Sequence, residues 1–172
     1  MPSIVIAAHN EAGVIDACLR ALLSQSVPAL EIIVVANGCS DRTVEVAARP
    51  SVTVIDRPEP GKTGALNAGD DVAVSLPRIY LDADIEVPEG GLAAVLGRLS
   101  TEPHPLAVVP ARRLETDGRP WPVRAYFAIN ERLPVFRNGL FGRGMIALSA
   151  EGRGRFDAFP ELIADDLFLD SQ

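Results

Sequence analysis

Four short apolar runs, each followed by residues at helical spacing, constrain this chain more than any other feature. SIVIAA (Ser3 to Ala8), EIIVVA (Glu31 to Ala36), VTVID (Val52 to Asp56) and RIYLDAD (Arg78 to Asp84) are largely apolar and rich in β-branched residues. A strand with one face in water alternates apolar and polar residues, whereas a nearly continuous apolar run is buried on both faces. Between the first two runs, Val14, Ile15, Cys18, Leu19, Leu22 and Leu23 form one helical stripe, with Asn10 as the expected N-cap. DRTVEVAA and TGALNAGDDVAV supply two more helices. Strands and helices alternating at this spacing define βαβ units, hence an α/β fold with a mostly parallel central sheet flanked by helices.

The alternation weakens after residue 85. A helix is predicted from about Pro88 to Leu99, then a strand in LAVVPARRLET with a turn at Asp117-Gly118. WPVRAYFAINERL reads as a helix, FRNGLFGRGMIALS as a glycine-rich loop running into a strand, and ELIADDLFLD as a helical tail. A length of 172 residues without repeats or obvious linkers fits a single domain with a real core.

Charge narrows the function classes. A net charge of -7 disfavours a nucleic-acid partner, because neutralising phosphates needs a basic face. There is no apolar run of about 18 residues to span a membrane, and no basic leader precedes the strand at Ser3. A cytoplasmic location is therefore expected. Cys18 and Cys39 lack the spacing of a zinc site or a disulfide framework.

Lys62 is the single lysine among 16 basic residues, and it sits in Gly61-Lys62-Thr63 between a strand and a helix. That is how a nucleoside-triphosphate P-loop ends. A P-loop, however, needs glycine five residues before the Gly-Lys pair, and Asp56 stands there. Pro58 and Pro60 also lack the N–H groups that would wrap a phosphate. The kinase reading fails, leaving either a solvated lysine or a point charge for a diphosphate at a helix start.

Asp82-Ala83-Asp84 closes the fourth strand. Ligands of open α/β sheets bind outside the carboxyl ends of the strands, and paired carboxylates there suit Mg²⁺ or Mn²⁺ that also takes phosphate oxygens. Two exposed acids in a turn are the plain alternative. An aspartyl-nucleophile phosphatase would carry its Asp-x-Asp after the first strand, where this chain has Ala8-His9-Asn10.

Taken together, PSIVIAAHNEAGVIDACLRALLSQ, EIIVVANGCSDRTVEVA, GKTGALNAG, YLDADIEV and ADDLFL resemble the inverting family 2 glycosyltransferases, which have the GT-A fold. The likeness runs from about Pro2 to Leu169. It implies one catalytic domain over residues 1–172: a donor half over 1–100 and an acceptor and catalytic-base half over 101–172, short at its C-terminal end. A nucleotide-diphosphate sugar would lie at the strand ends. Glu11 would hold its ribose or base, with Ala7 and Asn10 lining that pocket, and Lys62 and Asn67 would reach phosphates or ribose. The small residues Gly64, Ala65, Ala68 and Gly69 allow close approach of a ligand or a neighbouring element. Asp84 would be the direct metal ligand and Asp82 a ribose or metal-water contact, with Ala83 beside them at the donor. The family commonly has Asp-Asp-Gly-Ser at the second strand end, its second Asp pairing with uracil. This chain has Ala36-Asn37-Gly38-Cys39, which leaves the base open. Asp41 is read as a helix cap.

The resemblance makes Asp166 the general base for an acceptor hydroxyl, with Asp165 in place of the commoner Glu. Two acids in a first helical turn are otherwise explained by the helix dipole. Gly139 to Gly144 would form a loop near donor and acceptor, with Arg143 at a phosphate or simply at the surface. Trp121 would stack on a sugar or sit half-buried in the core. Neither a Gln-x-x-Arg-Trp motif nor membrane helices are present, which favours transfer of one sugar, or a fragment, over a processive polysaccharide synthase. The alternatives are a nucleotide-sugar-binding module without turnover and, behind it, a nucleotidyltransferase, whose glycine- and arginine-rich first loop AAHNEAG does not match. The acceptor is unspecified, and peripheral membrane contact is compatible with a lipid acceptor, although no basic amphipathic helix demands it.

Overall fold

The computed structural model of the chain describes residues 1–111, 118, 120–130, 144–161, 168–169 and 171. The order of elements is β1 (Ser3–Ala8), α1 (Ile15–Leu23), β2 (Glu31–Asn37), α2 (Thr43–Ala47), β3 (Val52–Arg57), α3 (Lys62–Val72), β4 (Arg78–Asp82) and α4 (Gly91–Leu99). There follow β5 (Ala107–Val108), α5 (Trp121–Asn130), β6 (Met145–Leu148) and α6 (Ala150–Arg153). These strands form one sheet in the order β3-β2-β1-β4-β6-β5. β1 pairs in parallel with β2 and β4, and β2 in parallel with β3, while β6 runs antiparallel to both β4 and β5. The mostly parallel sheet expected from the apolar runs is what forms.

Both faces of the sheet are covered, which is why the strands are continuously apolar. On one face Ile4, Ile6, Ile32, Val34, Ile79 and Leu81 pack with Ile15, Leu19 and Leu22 of α1 and Leu92 and Val95 of α4. On the other face α3 lies on Val5, Ile33 and Val35 through Leu66 and Ala65. α3 sits so close that a Cβ on Gly69 would come within 2.3 Å of Val5 Cγ1. The small residues of that helix therefore serve contact with the sheet. Each fully buried Ile or Leu here contributes on the order of 1.5–3 kcal/mol of hydrophobic stabilisation.

Several expected elements differ. Asn10 does not cap α1: it takes a left-handed conformation (φ 56), tolerable for Asn, and the helix begins only at Ile15 after a turn closed on Glu11 O. β4 ends at Asp82, so Ala83 and Asp84 lie in the turn beyond it. The strand expected in LAVVPARRLET is two residues long, bounded by Pro105 and Pro110, which have no N–H for a ladder. Trp121 is 77% exposed at the start of α5, not half-buried. The four-residue α6, capped by Ser149 Oγ accepting from Gly152 N at 3.1 Å, was too short for periodicity to announce. Residues 162–167, with Asp165 and Asp166, and most of the glycine loop, with Arg143, lie outside the described residues. Among the described residues no helix is long and apolar enough to cross a membrane.

Candidate active site

The chain runs β1, β2, β3 to one side of the sheet and then crosses to β4 on the other side of β1. This reversal leaves a crevice at the carboxyl ends of β1 and β4, where open α/β sheets bind their ligands. Ala7 is in register with Asp82, and Ala8 with Ala36. The loops leaving four strands therefore meet over one cleft of about 480 Å³, lined by Ala7, His9, Glu11, Asn37, Pro60, Gly61, Lys62, Asp82, Ala83 and Asp84.

Each wall has a local cause. The loop after β1 is tied to the loop after β2: Thr43 Oγ1 accepts from Glu11 N at 2.8 Å and donates to Asp41. Asp41 also accepts from Ala12 N at 3.1 Å, in the loop after β1, and from Thr43 N at 2.9 Å; it is not the N-cap of α2, which is Arg42. These hydrogen bonds, that from the Thr43 side chain above all, hold the Asp41 carboxyl below the usual carboxylate range. Gly38 turns the chain after β2 with φ 58, and a Cβ there would lie 2.8 Å from Pro60 Cβ. Pro60, which argues against a P-loop, thus forms a wall of the cleft.

Lys62 opens α3, and its Nζ lies 2.9 Å from Asp82 Oδ1, with both side chains about two-fifths exposed (42% and 43%). The N–H of Gly61, which a P-loop would spend on phosphate, donates instead to Asn37 Oδ1 at 3.0 Å. Gly144, at the end of the glycine loop, accepts from Asp82 N at 2.8 Å and so borders the acidic strand end.

The cleft is acidic. Burial raises the Glu11 carboxyl above its usual range, and the charges of Asp84, Asp41 and Asp82 raise it further, against a smaller opposing effect of His9. Among the described residues there is no ready-made group of three or more metal-ligating side chains. Two hard carboxylates, one already paired with Lys62, fit a divalent ion that completes its shell with phosphate oxygens, and they do not fit an all-protein cage.

Of the expected site residues, the fold brings Ala7, Glu11, Asn37, Lys62, Asp82, Ala83 and Asp84 together. Asn10 and Asn67 are turned elsewhere. Asn10 Oδ1 accepts from Ser40 N at 2.8 Å, joining the loops after β1 and β2. Asn67 exchanges two hydrogen bonds with the backbone of Phe159, at 2.9 and 2.8 Å, and so clamps α3 to the segment after α6. Asn37 lines the cleft but is only 3% exposed, and Nδ2 donates to Ala8 O at 2.9 Å. Its amide is a brace between strand ends. His9 was missed, although a histidine directly after an apolar strand of an α/β array is placed at the ligand end of the sheet.

An α/β sheet of this order with a nucleotide-sized acidic cleft at its switch point defines the nucleotide-diphospho-sugar transferase class, the GT-A fold. Residues 3–152 match the glycosyl transferase family 2 model, and the chain belongs to that family. It is 32% identical over 90 residues to the uncharacterized glycosyltransferase YibD of Escherichia coli (strain K12), a stretch of 49% of this chain and 26% of that protein. It is 33% identical over 90 residues to glycosyltransferase AglE of Haloferax volcanii, 48% of this chain and 30% of that one. The matched region thus spans under a third of these relatives. Among solved structures, the mannosyltransferase PcManGT from Pyrobaculum calidifontis, in complex with GDP-Man and Mn²⁺, superimposes with a TM-score of 0.77 at 24% identity. That match covers 98% of this chain and 50% of PcManGT. S. aureus TarS 1-349 with UDP-GlcNAc gives 0.72 at 18% identity, covering 98% and 52%.

Proposed function

We propose that residues 1–172 form one catalytic domain of a metal-dependent inverting glycosyltransferase, which moves a sugar from a nucleotide-diphosphate donor to an acceptor hydroxyl. The observation that carries this reading is the Lys62–Asp82 pair beside Asp84 at the switch point of the sheet. Residues 1–100 bind the donor. The nucleoside lies against Ala7, Glu11 and the brace of Asn37, and the diphosphate reaches toward Lys62, Asp82, Ala83 and Asp84. GDP-Man and UDP-GlcNAc in the similar structures support a donor of this class.

Asp84 would hold Mg²⁺ or Mn²⁺, with Asp82 beside it in contact with Lys62. A divalent cation there would supply Lewis-acid neutralisation of the charge on the departing diphosphate. Lys62 adds a positive point charge at the N-terminus of α3, where anions are already favoured. Asp166, in the acceptor half, takes the proton of the acceptor hydroxyl as its oxygen attacks the anomeric carbon from the face opposite the nucleotide. A positioned carboxylate of this kind contributes about 10²–10⁴-fold.

Calorimetric titration of UDP and GDP with and without Mn²⁺, on the wild type and Asp84→Ala, tests the donor site. The expected result is binding that requires Mn²⁺ and is lost in the variant. Binding that is metal-independent and survives Asp84→Ala would remove the metal assignment. Asp166→Asn should keep nucleotide affinity and lower transfer about 10²–10⁴-fold. An unchanged rate would remove Asp166 as the base.

A further inference from the structure

Asn37 stands where a base-reading carboxylate is common in this family, yet both ends of its amide are committed. Nδ2 donates to Ala8 O at 2.9 Å and Oδ1 accepts from Gly61 N at 3.0 Å, in a residue only 3% exposed. The group that does face the same end of the cleft is His9, an exposed side chain among the lining residues. Its Nδ1 lies 2.6 Å from Asn37 O. A carbonyl oxygen can only accept, so Nδ1 carries the proton, and in the neutral ring Nε2 is left as an acceptor. Asn10 Nδ2 lies 3.4 Å from Nε2, long for a hydrogen bond and compatible with the same tautomer. A better-placed N–H would displace it.

Building on the donor-site reading above, we propose that His9 is the specificity-determining residue for the nucleobase. Nε2 accepts the ring N–H of an imide-type base, uracil N3–H or guanine N1–H, and the Asn37 carbonyl fixes the tautomer that makes this an acceptor. At the corresponding ring nitrogen adenine and cytosine carry a lone pair. Two acceptors then face each other, and losing the hydrogen bond to their repulsion weakens binding roughly tenfold or more. Glu11 is another acceptor in the cleft. Its carboxylate is surrounded by those of Asp84, Asp41 and Asp82, and the Glu11→Gln variant separates its contribution from that of His9.

The test is titration of the full chain with UDP, GDP, CDP and ADP in Mn²⁺ at about pH 8, comparing wild type, His9→Phe, His9→Gln and Glu11→Gln, with a thermal melt of each variant. His9→Phe keeps a flat ring and removes the acceptor, whereas His9→Gln offers a side-chain carbonyl in its place. The wild type should bind UDP or GDP roughly tenfold or more tighter than CDP and ADP. His9→Phe should bind all four alike, and His9→Gln should retain part of the preference. The inference is overturned if the wild type takes CDP or ADP as tightly, if His9→Phe keeps the full preference, or if Glu11→Gln alone abolishes it. Should His9→Phe fail to fold, a His9→Gln variant with no remaining preference at wild-type stability also overturns it. Absence of binding by every nucleotide removes the donor-site reading together with this inference; binding without dependence on His9 removes this inference alone.

Discussion

Asn37 shows how one residue can be legible in position and illegible in role. Its place at the end of β2 marks it as a cleft residue, and it does line the cleft. Whether its amide faces a ligand or the protein depends on Ala8 and Gly61, brought to it by strand pairing and by the loop before α3. Replacing it with aspartate should therefore harm this protein. A carboxylate cannot donate to Ala8 O, and two acceptors would face each other in a nearly buried site. Asn37→Asp is expected to cost about 1–3 kcal/mol in chemical denaturation and to weaken nucleotide binding. Tighter UDP binding at unchanged stability would show that Asn37 reads the base after all. Glu11 carries a prediction of the opposite sign. Its pKa is raised in the folded state, so the folded form holds the extra proton between the ordinary and the raised values, and stability falls as pH rises through that window. Glu11→Gln should raise the melting temperature of the unliganded protein at pH 7, and the gain should fade at pH 4 and below, where the carboxyl is protonated in both states. A destabilised variant at pH 7 would contradict this.

At the scale of elements, α3 does more than close a βαβ unit. Its N-terminus delivers Lys62 to the cleft, Gly69 lets it press on Val5, and Asn67 and Asp70 hold the segment around α6. Asp70 accepts from Arg78 Nη1 at 2.6 Å, Tyr80 Oη at 2.7 Å and Arg153 Nε at 3.2 Å. The Arg78–Asp70 pair is buried on both sides (7% and 6% exposed). Removing one member leaves charge behind in a dry site, so Asp70→Ala is expected to cost about 3–5 kcal/mol by denaturation. A loss below about 1 kcal/mol, the level of a surface pair, would mean water replaces the carboxylate. None of this was visible beforehand. Asp70, Arg78, Tyr80 and Arg153 share no spacing pattern, and only the crossing of α3, β4 and α6 brings them together.

At the scale of the whole molecule, an acidic chain of net charge -7 gathers Glu11, Asp41, Asp82 and Asp84 around one crevice with a single lysine at its edge. That distribution suits a ligand that arrives with its own divalent cation. Mn²⁺ together with the cognate nucleotide should therefore raise the melting temperature by more than the two separate increments added. Ligand at about 100 times its dissociation constant adds about 2.7 kcal/mol. Strictly additive increments in a thermal-shift assay would show that metal and nucleotide bind without sharing a site.

The α/β class, the parallel strands and the end of the sheet that carries the cleft were determined by the sequence itself. Short, largely apolar runs rich in β-branched residues favour strands, and the helices between them make the strands parallel. Lys62, Asp82 and Asp84 were legible for the same reason, since each lies at the carboxyl end of such a strand or the start of the next helix. What only the tertiary structure decided was where polar side chains spend their hydrogen bonds. Asn37, Asn67 and Asn10 each satisfy backbone groups distant in sequence, and His9 gains its place in the cleft from Asn37 across two strands. Hydrogen bonding is short-ranged and directional, so its partners are settled by packing, whereas hydrophobic periodicity is written residue by residue along the chain.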